Sequence, residues 1–383
     1  KAYGYGDQQG NSNKASHAKS SHYEWNQGFP ICQLSACFQG NGALFCVASR
    51  IGVECFPLIE SKKIYMRSKI YIDGQAGTTA LRIREWLAER DDLEVVTLPE
   101  ELRKDPAARK QAFEGANIVL LCLPDDAAKE AASWVCDSPV RLLDASTAHR
   151  VTEGWVYGLP ELIPDQRQRI AKAQRVANPG CYASAVILLL RPLVDAGLIA
   201  PDTPLSIHAL SGYSGGGRSL IERWEDPKRG LLKLTYEAPY SIAKFHKHIP
   251  EIMRHGALDT EPHFLPNVGP FRCGMRVEIM IPAKARLKAG SGKALWEILS
   301  ARYESETFVE VEPLTDASEA DEFSFDPQAL NDTNRISLRV LPHQSGHVLL
   351  MARLDNLGKG AAGVAIQNLN LMLGVPEDTG LPR

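Results

Sequence analysis

The stretch Lys69–Arg90 reads KIYIDGQAGTTALRIREWLAER. It divides into a strand, a glycine turn and a helix. Lys69–Asp73 is a short β-rich run, and Gly74, Gly77 and Ala80 then follow the G-x-x-G-x-x-G/A spacing. Leu81, Ile83, Trp86 and Leu87 recur at helical spacing and predict one broad apolar face. A glycine turn between strand and helix lets backbone N–H groups approach a pyrophosphate. Alone, such a motif is common and marks only a turn. The segments that follow give it context. LEVVTL (Leu93–Leu98), NIVLLCL (Asn117–Leu123) and Val140–Leu143 read as further strands with helical segments between them. That alternation predicts an α/β fold with a doubly wound parallel sheet.

The second strand ends Thr97-Leu98-Pro99, without the acid that binds the ribose 2′-hydroxyl of NAD. Glu100 and Glu101 follow, but so do Arg103 and Lys104, which favours NADP.

At 383 residues the chain is long enough for two domains. A hydrophobic content of 44%, a charged content of 23% and a net charge of −3 are ordinary for a soluble globular protein. They point to neither a nucleic-acid nor a membrane surface, and no apolar run would span a bilayer. The opening differs from the rest. Residues 6–22 are a low-complexity polar run, and Cys32, Cys37, Cys46 and Cys55 crowd into the same segment. Their spacing has no paired C-x-x-C and argues against zinc. The first methionine is Met66, directly before the strand–glycine–helix stretch. Residues 1–65 therefore read as an extension unrelated to the fold, disordered or artefactual, with a transit peptide as the alternative. Setting them aside, the few remaining cysteines fit a reducing, cytoplasmic compartment.

A second stretch carries chemistry. Val176–Leu190 reads VANPGCYASAVILLL. Asn178, Pro179 and Gly180 are turn and helix-start residues, and the apolar run beyond them suits a buried helix, bent at Pro192. Cys181 then lies in the first turn, where the dipole and unpaired N–H groups lower a thiol's pKa. The bland alternative is a small buried hydrophobe. Downstream, HALSGYSGGGRS (His208–Ser219) offers backbone N–H groups, Ser211 and Arg218 to an anion; a flexible surface loop is the plain alternative. In PYSIAKFHKHIPEI (Pro239–Ile252), His246 and His248 lie two apart, so on an extended segment they share a side. One of them could deprotonate a thiol and later protonate a carbonyl oxygen. No third ligand at suitable spacing supports a metal there. Together these parts describe thiolate attack on an acyl phosphate, then hydride reduction of the thioester to an aldehyde.

From Met66 to about Gly374 the chain resembles the short (type 2) N-acetyl-gamma-glutamyl-phosphate reductases. The motifs that carry the resemblance are DGQAGTT, CLPDDAA, LLDASTAHR, GWVYGLPEL, ANPGCYAS, SGYSGGGRS, HKHIPE and LDNLGKGAAGVAIQNLNLMLG. The related aspartate-semialdehyde dehydrogenases share fold and thiol chemistry, but HKHIPE and LDNLGKGA look like the acetylglutamyl enzyme. The resemblance implies a Rossmann-type NADP-binding domain (66–180 and 352–383) and an α+β substrate and dimerisation domain (181–351), of the glyceraldehyde-3-phosphate dehydrogenase type. It implies the NADPH-dependent step of arginine biosynthesis after acetylglutamate kinase.

The same resemblance implies that Cys181 is the acylated nucleophile and that His246 and His248 form the base and phosphate/substrate pair, in an order left open. Gly74, Gly77 and Thr78 would bind the pyrophosphate of NADP. Pro124, Ser146 and Asn356 would lie near its nicotinamide end. Arg150, Arg218 and Ser211 would hold carboxylate or phosphate, with no metal. It implies a homo-tetramer acting on a small molecule. The C-terminal helix, about Ala361–Leu373, would return to the nucleotide domain through Val364, Ile366, Leu369 and Met372. Ala80 stands where a third glycine is usual, a substitution that packing tolerates. Readings of another class are a thiol hydrolase, which needs no nucleotide domain, and a nucleotide sensor, which needs no thiol.

Overall fold

The computed structural model describes the backbone of β1 (Leu34–Gln39), β2 (Gly42–Ser49) and β3 (Gly52–Pro57), and residues 67–135, 138–285, 292–314 and 321–383. Residues 1–65 and 66–383 are separate compact units. In the first, β1, β2 and β3 pair antiparallel in that order. The polar run at 6–22, and with it the reading of disorder, lies outside the described residues. So do the side chains of the four early cysteines.

The second unit runs in chain order β4 (Ser68–Asp73), α1 (Thr78–Leu87), β5 (Leu93–Val96), α2 (Pro106–Glu114), β6 (Ile118–Leu121), α3 (Asp125–Ser133), β7 (Arg141–Asp144), β8 (Val156–Tyr157), α4 (Gln166–Lys172) and β9 (Arg175–Ala177). It continues through α5 (Cys181–Asp195), β10 (Ser206–Gly212), α6 (Arg218–Glu225), β11 (Ala238–Pro239), α7 (Ile249–Gly256), β12 (His263–Gly269) and β13 (Met275–Ile281). The last elements are α8 (Gly292–Tyr303), β14 (Val309–Val311), β15 (Ile336–Pro342), β16 (Val348–Leu354) and α9 (Gly363–Leu373).

Among the described residues the first sheet has the order β5-β4-β6-β7-β9-β8, all parallel. Ile70–Asp73 and Ile118–Leu121 are buried throughout, as strands covered on both faces must be. The chain steps from β4 outward to β5, then returns to place β6 on the other side of β4. This reversal opens a crevice beyond the carboxyl ends of β4 and β6, the usual ligand position in such sheets.

Helix α1 corrects the expected apolar face. It starts at Thr78 and points Ala80, Ile83 and Leu87 inward, while Leu81 is 53% exposed. Ala80 meets the sheet at the position of the third glycine and sets that phase. Helix α9 packs on the same layer: Ala365, Ile366, Leu369 and Met372, with Ala362 just before the helix, join Ile70, Ile72 and Ile83 in one cluster. Val364 is buried outside that cluster.

The second sheet is mixed, in the order β11-β12-β10-β13-β16-β15-β14. Strand β16 pairs with β13 as far as Met275↔Leu354, so this sheet runs past the boundary expected at residue 352. Helix α5 lies in the core of this layer, with Ala183, Ala185–Leu190 and Leu193 fully buried. Each such leucine stabilises the fold by about 1.5–3 kcal/mol. The helix continues through Pro192 to Asp195. Pro192 has no N–H for the carbonyl of Leu188 four residues earlier, and the Tyr303 hydroxyl donates to that carbonyl instead, at 2.8 Å.

A wide turn, Gly358–Ala362, carries the chain from β16 into α9. Its Lys359 is fully buried and donates to Glu161 Oε1 and Gln367 Oε1, both at 2.7 Å. Burial raises the Glu161 carboxyl, but Lys359 and Arg167 outweigh it and hold it below its ordinary value.

Candidate active site

The crevice of the first sheet widens into a cleft of about 800 Å³ between the two layers. At one end Gly77, Thr78, Thr79, Cys122, Leu123 and Ala145 line it. Gly74 makes the turn behind them. Its φ is +87°, and a Cβ there would lie 2.2 Å from the Cys122 carbonyl oxygen, so only glycine fits. Pro124 and Ser146 each follow a lining residue and stand one step back. The Ser146 hydroxyl and N–H donate to the buried Asp144 carboxylate at 2.7 and 2.9 Å. Asn356 lines the cleft, donating to Ser214 Oγ at 2.9 Å and accepting the Gly274 N–H at 2.8 Å.

Cys181 opens α5 on the cleft wall, after the N-cap Gly180. The approach is pinned on several sides. The Asn178 N–H donates to Asp144 O at 2.7 Å, its amide to Ala361 O at 3.0 Å, and its carbonyl accepts Arg150 Nε at 2.9 Å. Gly180 is packed so closely that a Cβ would lie 2.5 Å from both Arg150 Nη1 and His248 Nε2. On the other side Gly360 touches Cys181, since a Cβ there would lie 2.7 Å from the thiol's Cβ.

The expected low pKa is corrected. Burial pushes the free thiol up to about 11, outweighing the Tyr182 N–H, Arg150 and Lys247, which favour the thiolate. A helix start alone does not ionise a thiol that is desolvated. Alkylation of Cys181 by iodoacetamide in the free enzyme is therefore expected to accelerate about tenfold per pH unit above neutrality, as the thiolate fraction rises. Peptide mapping separates it from Cys122 and Cys273. A rate that levels off near neutral pH would show a thiolate already formed.

The two histidines do not sit on an extended segment. His246 opens a turn, its carbonyl accepting the Ile249 N–H at 3.0 Å, and His248 is the N-cap of α7 in a helical conformation, so the backbone folds between them. Their rings still meet, edge to face with centroids 4.8 Å apart, and both line the cleft. The His248 N–H donates to His246 Nδ1 at 3.2 Å. Neutral His246 therefore carries its proton on Nε2, which faces the Tyr240 hydroxyl at 3.4 Å. His248 Nδ1 is buried without a hydrogen-bond partner. Burial lowers His246 to about 4 and His248 well below its ordinary value, aided by nearby cations, so both are neutral near pH 7.

Sequence reasoning passed over Glu251, the most connected group here. Buried in the first turn of α7, it accepts from Arg150 Nη1 (2.6 Å), the Tyr157 hydroxyl (2.7 Å) and the Gly180 N–H (3.0 Å). His248 Nε2 stands 4.0 Å from it. Its signal in the sequence is the i, i+3 step from His248, which puts both on one helix face. Tyr182 and Tyr240 were passed over as well; the Tyr240 hydroxyl donates to that of Tyr182 at 3.2 Å. Ser211 lines the cleft, buried, as expected. Arg218 does not: its side chain is 71% exposed and pairs with Glu222 on its own helix at 2.8 Å. Arg223 and Trp224, one turn on, reach the cleft instead. Arg150 does line it, but its Nε and Nη1 are already held by the protein.

Residues 69–170 match the semialdehyde dehydrogenase NAD-binding domain, and residues 181–356 the semialdehyde dehydrogenase dimerisation domain. The N-acetyl-gamma-glutamyl-phosphate reductase 2 of Pseudomonas putida is 48% identical over 314 residues, covering 81% of this chain and 98% of that protein. The chain belongs to the N-acetyl-gamma-glutamyl-phosphate reductase family. Members from Nostoc and Burkholderia ambifaria are 44% and 46% identical, covering 82% and 80% of this chain and 99% and 96% of those proteins. Aspartate semialdehyde dehydrogenase II of Vibrio cholerae and the Francisella tularensis enzyme share the fold, each with a TM-score of 0.60 at 14% identity. Each covers 80% of this chain, and the chain covers 98% and 100% of them. As a reductase of this family the chain is an NAD(P)-dependent oxidoreductase. Among the described residues no helix is long and apolar enough to cross a membrane.

Proposed function

We propose that this chain reduces N-acetyl-gamma-glutamyl phosphate to N-acetylglutamate 5-semialdehyde with NADPH, releasing phosphate, in arginine biosynthesis. The observation that carries this reading is Cys181 at a helix start, lining one cleft together with two neutral histidines and Gly77 of the glycine turn. Residues 66–180 with the C-terminal segment beyond β16 would hold the cofactor, and the residues between them the substrate. The residues present fit NADPH. The turn at Gly74 leaves no side chain in the way, the first turn of α1 carries no acid, and the site lies at the strand-order reversal. Gly74, Gly77 and Thr78 would take the pyrophosphate, with Asn356 and the segments at Pro124 and Ser146 toward the nicotinamide. When bound, NADPH supplies hydride to the acyl carbon.

The chain's own residues do the rest. Cys181 Sγ, deprotonated, attacks the acyl carbon; the carbon–oxygen bond to phosphate breaks and a thioester remains on Cys181. His248, whose Nε2 lies against Gly180 just before the thiol, is the proton acceptor and later the donor, while the His246 ring is fixed by the His248 N–H. Arg150 and Lys247 favour the thiolate, and Ser211 on the cleft wall would contact the substrate. After reduction the carbon–sulfur bond breaks and the thiolate returns. The enzyme works in a reducing, cytoplasmic setting as a homo-oligomer, a tetramer, assembled through the domain type whose description is dimerisation.

The test is the reverse reaction on purified protein: N-acetylglutamate semialdehyde, phosphate and NADP, followed by absorbance of the reduced cofactor. Phosphate-dependent reduction is expected. Activity with aspartate semialdehyde alone would overturn the substrate assignment. His248→Asn is expected to lose far more turnover than His246→Asn; equal, mild losses would remove the base role from both.

A further inference from the structure

The proposed substrate has two anionic ends on a short aliphatic chain, an acyl phosphate and an α-carboxylate. Arginines named for them by the motifs are occupied elsewhere. Arg150 is tied to Asn178 and Glu251, and Arg218 points away from the cleft to Glu222. Two other cations line the cleft, Lys247 and Arg223, and neither has an ion pair or hydrogen bond among the described residues. They stand on different walls. Lys247 lies between His246 and His248 in the chain, ahead of α7, and its charge acts on both the Cys181 thiol and the Asp125 carboxyl. Arg223 lies in the last turn of α6, next to Trp224. Around it Leu220, Leu231 and Leu234 line the cleft as an apolar patch.

We propose that Lys247 and Arg223 bind the two anionic ends of the substrate, Lys247 the acyl phosphate beside the thiol and Arg223 the α-carboxylate on the α6 wall. The assignment rests on the reductase reading above. An unpaired, solvent-accessible cation on the wall of a cleft is the group that recognises a phosphate or carboxylate, through charge-assisted hydrogen bonds. The leucine patch next to Arg223 suits the methyl of an N-acetyl group carried on the carbon that bears the carboxylate.

The reverse reaction separates the two contacts, because phosphate and aldehyde are then different substrates and only the aldehyde carries the carboxylate. In Lys247→Met the KM for phosphate is expected to rise about 30-fold, with the KM for the semialdehyde unchanged. In Arg223→Met the KM for the semialdehyde should rise by about the same factor, with that for phosphate unchanged. Lys247→Arg keeps the charge and should keep most of the phosphate affinity. Both side chains are exposed, and NADPH binding by fluorescence verifies that each variant is folded. A phosphate KM unmoved in Lys247→Met, or both constants rising together in either variant, would overturn the assignment. Inactivity of the wild-type enzyme with these substrates would instead overturn the reductase reading, and this assignment with it.

Discussion

Cys181→Ser is expected to lose turnover by about 10⁴-fold or more while NADPH still binds with near-normal affinity. The serine hydroxyl is nearly isosteric, so α5 and its buried core should be undisturbed. It is a far weaker nucleophile at neutral pH, and nothing in the site would ionise it when burial already pushes the thiol up to about 11. The glycine turn that serves the cofactor belongs to β4 and α1, and α5 starts from a different strand, so the two functions should separate cleanly. Turnover is read from NADPH consumption and binding from nucleotide fluorescence. Rapid quenching without NADPH, followed by mass spectrometry, should show the acyl group on the wild-type thiol and none on the variant. Retained turnover in Cys181→Ser would end the thioester mechanism.

The second large effect concerns Glu251. Glu251→Ala removes the partner of a buried arginine and orphans the Tyr157 hydroxyl and the Gly180 N–H in one change. A loss of about 3–5 kcal/mol is expected, the usual result of leaving a buried charge uncompensated. Equilibrium unfolding in urea measures it. Glu251→Gln keeps the shape and one acceptor oxygen, so it should lose less stability but still much activity, because Gly180 sets the start of α5 and hence the thiol. Removing the stranded charge as well, in Glu251→Ala with Arg150→Met, should recover part of the stability. If the single and double variants were equally unstable, the Arg150–Glu251 pair would not be what holds the loop before Cys181.

Much of the cofactor half was legible in the chain. Strands buried on both faces leave continuous apolar runs, and IVLL in β6 is one of them. Gly74 stands out in the chain by the G-x-x-G-x-x-G/A spacing, and its φ of +87° is why only glycine serves there. Cys181 was legible for the same reason: Asn-Pro-Gly followed by an apolar run marks a helix start. Other readings failed where a neighbour decided. Leu81 has helical spacing but lies outward, because Ala80 sets the helix phase against the sheet. Arg218 follows a glycine loop as a phosphate ligand would, yet α6 turns its side chain to Glu222. The pKa of Cys181 was read from the helix dipole, a local property, and the surrounding burial reversed it.

By itself the sequence determined the parallel sheet, the glycine turn and the helix start at Cys181, since these rest on short-range patterns of apolar residues, turns and caps. Only the tertiary structure decided what those groups face. Gly180 meets His248 and Glu251 because α5 and α7 pack together, and Gly360 reaches Cys181 because the turn after β16 doubles back before α9. Contacts between residues so far apart in the chain depend on how whole elements pack, and no window of sequence contains them. The same packing leaves Lys247 and Arg223 in the cleft without a partner among the described residues, while it commits Arg150 to holding the loop in place.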